Sequence, residues 1–157
     1  LLDECGQRGI HRTVDTTGLA KTETLLEVAK RTDHFLYDLK MMDSSKHKSW
    51  TGVPNEKILE NLQTLSAIGA TINIGIPLIK GVNANEQNIR ATAAFVADLA
   101  GEKKKVNLLP YHNIAARKYQ KLGNEYISGE MEEPNEEEQE KAVAVFAEYG
   151  VEAIIGG

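Results

Sequence analysis

"VNLLPYHNIA", residues 106–115, opens as a core β-strand and closes as something else. Val106, Leu108 and Leu109 follow a run of lysines and are apolar enough to be buried. Pro110-Tyr111-His112 then stops the strand with a rigid kink and two rings that can both stack and hydrogen-bond. Such an ending has two readings: a strand terminator, or the mouth of a site. The choice turns on how the other strands of the chain finish.

Working outward, helical and strand patterns alternate. Leu1–Arg8 reads as a helix stopped at Gly9. "IHRTVDTTG" (10–18) is a β-branched strand ending at Gly18, and "KTETLLEVAKR" (21–31) has apolar residues at helical spacing. "HFLYDLK" (34–40) is the second strand. "PNEKILENLQTLSAIGA" (54–70) is a helix with Ile58, Leu59, Leu62 and Leu65 on one face. "TINIGIPLIKG" (71–81) is the third strand, and Asn85 caps the helix "EQNIRATAAFVADLA" (86–100). "KVNLLPYH" (105–112) is the fourth strand. "NEEEQEKAVAVFAEYG" (135–150) is a helix with its acids at the favourable N-terminal end, and "VEAIIGG" (151–157) is a fifth strand. This alternation predicts an α/β fold with about five parallel strands in a single domain over residues 1–157. Right-handed crossovers bring every strand's C-terminal end to one edge. Residues 128–138 are the most polar stretch and read as a surface loop.

Bulk properties narrow the function. A chain of 157 residues, 41% hydrophobic, is enough for one core. A net charge of −5 argues against nucleic acid as a partner. The one basic run, Lys103-Lys104-Lys105, reads as a solvated turn. No apolar run approaches the ~20 residues that span a bilayer, so no membrane role is expected, and without a visible signal peptide the expected setting is cytoplasmic. The single cysteine, Cys5, excludes an intrachain disulfide and a Cys-rich zinc site. The start at Leu1, in what reads as the last turns of a helix, leads us to expect a piece of a longer protein.

Each strand interior is apolar, yet each strand ends on polar groups. The first ends Asp15-Thr16-Thr17-Gly18; the second carries Asp38 and Lys40 on one face; the third ends at Lys80-Gly81-Val82-Asn83; the fourth ends at Tyr111-His112. Parallel α/β folds bind ligands at this edge. Taken singly, each group has a plainer role. Asp15 can be a turn residue, Asp38 and Lys40 an ordinary ion pair, and His112 a structural histidine. His11, His34 and His47, at a strand start or in a helix, read as structural. Met41-Met42 reads as core filler, and Trp50 as packing a loop against the sheet. The joint pattern favours a site.

Together "VDTTG", "FLYDLKMMDSSKHKSWTGVPNEKILENL", "IPLIKGVNANEQNI" and "VNLLPYHNIAARKYQKLGNEY" resemble successive signatures of glycyl-radical-enzyme activating enzymes. These are radical S-adenosylmethionine proteins similar to pyruvate formate-lyase activating enzyme. The resemblance runs from about Leu1 to Gly157 and implies a partial parallel (β/α) barrel of the radical S-adenosylmethionine type. It implies that Asp15 and Thr16, with the backbone carbonyl of Leu36, hold a monovalent cation near the amino-acid end of S-adenosylmethionine. It also implies that Asp38 and Lys40 bind the cofactor's ribose hydroxyls and carboxylate, and that His112 stacks on the adenine. The proline kink would then serve to hold a stacking ring.

The chain departs from that pattern in two places. Where many relatives carry an arginine before "IPLIPG", it has Ile74-Gly75-Ile76, with Lys80 in place of the proline; Lys80 is a candidate substitute for the missing guanidinium. The CxxxCxxC motif for a [4Fe–4S] cluster is absent from these residues. The resemblance therefore implies part of an activating oxidoreductase, inactive by itself. The intact protein would use S-adenosylmethionine and the cluster to install a glycyl radical on a pyruvate formate-lyase-like partner. Two rival readings are a Schiff-base aldolase-like barrel using Lys40 and a non-catalytic interaction module. The first strand, near residues 10–14, is expected to be an open edge that favours self-association.

Overall fold

The structure, a computed structural model, describes residues 1–102, 104–112 and 131–156. Five parallel strands form one sheet in sequence order: β1 (Thr13–Thr16), β2 (His34–Asp38), β3 (Ile72–Leu78), β4 (Lys105–Pro110) and β5 (Ala153–Ile155). The helices are α1 (Leu2–Gln7), α2 (Thr22–Ala29), α3 (Ser44–Thr51), α4 (Glu56–Ala67), α5 (Glu86–Ala97) and α6 (Glu136–Glu148). The predicted class and strand number hold. The single-domain reading stays an expectation.

Local chemistry accounts for the helix boundaries. Asn85 caps α5 by accepting from the Asn88 N–H at 3.0 Å, as expected. Asn135 and Glu138 form a reciprocal capping box on α6. The apolar alternation marks no bounds for α3, although His47 reads as helical. Its sequence, SSKHKSWT, has no apolar period and buries only His47. Two ends hold it instead: Asp43 accepts from the Lys46 N–H at 2.9 Å, and Gly52 closes it with φ of +84°.

Strand alternation splits the sheet into two unlike faces. Phe35 and Tyr37 of β2, Ile72, Ile74, Ile76 and Leu78 of β3, and Val106 and Leu108 of β4 are buried. They pack with Leu25, Leu62, Leu65, Ala93 and Phe146 from the helices into one core. Each fully buried aliphatic side chain in that layer contributes about 2 kcal/mol. The intervening residues form the other face. In register across the strands these are Asp15, Leu36, Asn73 and Lys105, then Asp38, Gly75, Asn107 and Ile154. None of these eight is buried, and Leu36 and Ile154 are 41% and 53% exposed.

Two expectations need correction. Lys104 is buried, so the lysine run is not simply a solvated turn; Lys103 lies outside the described residues. Trp50 is 46% exposed rather than packed against the sheet.

Candidate functional site

The strand ends meet at one edge, as the alternation requires. Asp38 closes β2, and Lys40 follows on the same face. Lys40 Nζ donates to Asp38 Oδ2 at 2.7 Å, with both side chains about one-third exposed. Gly75 of β3 sits beside them in register. A Cβ there would lie 3.5 Å from Asp38 Oδ1 and 3.5 Å from Leu109 Cδ1, an ordinary contact. With no side chain at Gly75, the floor beside the Asp38 carboxylate is flat. One strand further, the Asn107 side chain donates to the Gly156 carbonyl at 2.8 Å.

His112 lies just beyond β4, two strand spacings or about 10 Å from β2. Its ring is 60% exposed, with Nδ1 3.0 Å from Glu133 Oε1. It therefore lies outside the core, just past the strand end. The rest of the "LLPYH…KY…LG" block, residues 113–126, lies outside the described residues.

Asp15 and Thr16 do not converge. Register aligns Asp15 with Leu36 on the open face and Thr16 with Tyr37 on the helix face. The Thr16 hydroxyl accepts from the Gly18 N–H at 2.9 Å, closing the turn after β1. A monovalent cation shared by both side chains and the Leu36 carbonyl does not fit this arrangement. Among the described residues no group of three His, Cys, Asp or Glu is placed to hold a metal ion. Lys80, the candidate substitute for the missing arginine, has its ammonium 3.0 Å from Glu138 of α6, and that contact raises its pKa.

Sequence reading missed what holds these loops in place. Asn83 is buried at 3% exposure, and its side chain makes three hydrogen bonds. It donates to the Lys40 carbonyl at 2.7 Å and the Pro77 carbonyl at 2.6 Å, and accepts from the Ile79 N–H at 2.8 Å. Asn55 donates to the Met41 and Met42 carbonyls, and Asn88 accepts from the Met42 N–H. Three asparagines from different parts of the chain thus fix the backbone after Asp38. At β1, Asn61 of α4 donates to the Gly18 and Ala20 carbonyls at 2.7 and 2.9 Å. Gly18, with φ of +70°, crosses directly over the Tyr37 ring. Burial pushes the Tyr37 phenol above its ordinary range, so it stays protonated and donates to the Ile58 carbonyl at 2.7 Å. No sequence signal separates these asparagines from ordinary turn residues.

Five parallel strands with one face packed by helices, and polar groups at their C-terminal ends, make a parallel α/β partial barrel. A radical SAM methyltransferase from Sphaerobacter thermophilus, 17% identical, shares this fold with a TM-score of 0.69 over 94% of this chain and 41% of that one. No family model matches. The chain is 42% identical, over its whole length, to the trans-4-hydroxy-L-proline dehydratase activating enzyme of Clostridioides difficile. It covers 52% of that protein, and so spans about half the length of the curated relatives it matches. It is also 42% identical to a solved domain of a pyruvate-formate lyase-activating enzyme from Bacteroides vulgatus, with a TM-score of 0.85 over 99% of this chain and 87% of that one. The chain belongs to the glycyl-radical-enzyme activating enzyme family of the radical SAM superfamily.

Proposed function

We propose that this chain carries the S-adenosylmethionine contacts of an activating oxidoreductase that installs a glycyl radical on a partner enzyme. The observation that carries this is the Asp38–Lys40 pair at the edge of the open face, beside the flat floor left by Gly75. A carboxylate accepts from two vicinal ribose hydroxyls, and an ammonium pairs with the cofactor's carboxylate. His112, exposed two strands away, supplies a ring to the adenine. Bound there, the cofactor supplies the radical chemistry; the side chains of this chain bind and orient it.

A [4Fe–4S] cluster does not fit the donors of this sequence. Its one cysteine, Cys5, lies on α1, which leads into the opposite edge of the sheet. We therefore assign these residues cofactor binding only, and expect no 5′-deoxyadenosine from the chain alone with iron, sulfide and dithionite. A Schiff-base role for Lys40 is disfavoured, because its nitrogen is engaged by Asp38 instead of lying in an apolar pocket.

Equilibrium dialysis against S-adenosylmethionine tests the proposal. The wild-type chain should retain the ligand, and Lys40→Ala should weaken retention about tenfold, as loss of a charge-assisted bond implies. Equal retention by the variant would remove Lys40 from the site.

A further inference from the structure

Residues 131–135 cross the ends of three strands before the chain enters α6. Met131 borders a crevice that it shares with Lys40, past β2. Glu132 pairs with Lys80, past β3, through two backbone hydrogen bonds of 3.0 and 3.1 Å. Glu133 then reaches His112, past β4, with its Oε1 3.0 Å from the ring Nδ1.

Backbone contacts place both members of that last pair. The Tyr111 N–H donates to the Leu78 carbonyl at 2.9 Å, which fixes the residue before His112. The pairing with Lys80 fixes the residue before Glu133. On its other side stands Pro134, which is buried, and a residue preceding proline is confined to extended backbone. Asn135 follows as the cap of α6. Leu78 and Lys80 are two residues apart at the end of β3, so His112 and Glu133 are brought together from opposite directions.

The chemistry of the pair settles where a proton sits. An ionised carboxylate can only accept, so Nδ1 carries the hydrogen and, in the neutral ring, Nε2 carries none. A hydrogen bond at one ring nitrogen also stops the imidazole from turning about its own axis. With side chains 60% and 55% exposed, the pair contributes little to stability, and its consequence is orientation. We infer that Glu133 is a positioning residue for the cofactor: its carboxylate holds His112 in the Nδ1–H tautomer and fixes the plane of the ring that stacks on adenine. The inference rests on the proposed function, which gives the adenine to His112 and leaves open what holds the ring.

Nitrogen-15 correlation spectra of the imidazole rings, taken on the full chain at alkaline pH, read the tautomer directly. His112→Ala assigns the signal among the four histidines. Wild type should carry the His112 proton on Nδ1. Glu133→Ala should move it toward Nε2 and leave the melting temperature unchanged. Saturation transfer to S-adenosylmethionine in that variant should fall at the adenine protons and persist at the ribose protons, with retention in dialysis about fivefold weaker. Glu133→Gln, whose amide oxygen can still accept from Nδ1–H, should restore the adenine transfer. The inference is overturned if wild type carries the proton on Nε2, or if Glu133→Ala leaves the tautomer or the adenine transfer as they were. It is equally overturned if Glu133→Gln restores nothing, the sign that charge alone matters, or if Glu133→Ala lowers the melting temperature and loses ribose transfer as well. Wild type without adenine transfer would instead count against the cofactor reading, with the Glu133–His112 bond still decided by the tautomer.

Discussion

At the scale of single residues, the site depends on groups that never touch a ligand. Gly18 is one: a Cβ would sit 1.7 Å from the Tyr37 hydroxyl, on a backbone with positive φ. Gly18→Ala should therefore cost about 3 kcal/mol, from overpacking and left-handed strain together. Urea denaturation would show it, and an unchanged midpoint would mean the turn can move off the ring. Asn83 is another. Asn83→Ala strands the Lys40 and Pro77 carbonyls and should cost about 1–3 kcal/mol, while loosening the backbone that sets the Asp38–Lys40 geometry. Thermal melts read the first effect, and S-adenosylmethionine dialysis on the still-folded variant reads the second. A variant as stable and as retentive as wild type would show that Asn55 and Asn88 hold the loop without it.

Elements show where sequence patterning succeeds and where it stops. The starts of β1 and β2 are tied by Arg12, whose side chain makes two hydrogen bonds to Asp33 at 2.8 and 2.9 Å and whose backbone N–H makes a third at 2.8 Å. These bonds hold the Asp33 carboxyl well below the usual carboxylate range. A depressed folded-state pKa means stability that is fully present above about pH 4 and is lost as the pH falls toward the lowered value. Asp33→Asn should flatten the acid side of a plot of Tm against pH; an unchanged slope would show the pair to be screened. The helix and strand patterns were legible because alternation and helical spacing survive in sequence. The extent of α3 was not, because its order comes from Asp43, Gly52 and a buried histidine instead of an apolar stripe. The burial of Lys104 was hidden for a related reason, since a lysine's four-carbon stem can line a core regardless of its neighbours' charge.

For the whole molecule, the sequence was enough to place polar groups at one edge, since parallel strands and right-handed crossovers leave no other arrangement. It also put Asp38 and Lys40 on one face, but it could not give the register between strands. The side chains of Asp38 and Lys40 meet at 2.7 Å, whereas register turns Asp15 and Thr16 to opposite sides. β1 is also an edge strand of the sheet, with Ile10 beside it 53% exposed. Light scattering should find some self-association at high concentration, and a clean monomer would show that edge to be protected. The central claim is that two strand ends divide S-adenosylmethionine between them: ribose at Asp38 and carboxylate at Lys40 after β2, adenine at His112 after β4. Saturation-transfer NMR with millimolar S-adenosylmethionine tests it most directly, because it reads weak binding proton by proton. Wild type should transfer saturation to both adenine and ribose protons. His112→Ala should lose the adenine signals and about 1–3 kcal/mol of affinity while the fold persists, and Asp38→Asn should lose the ribose signals first. Wild type with no transfer, or variants with the wild-type pattern, would contradict the account.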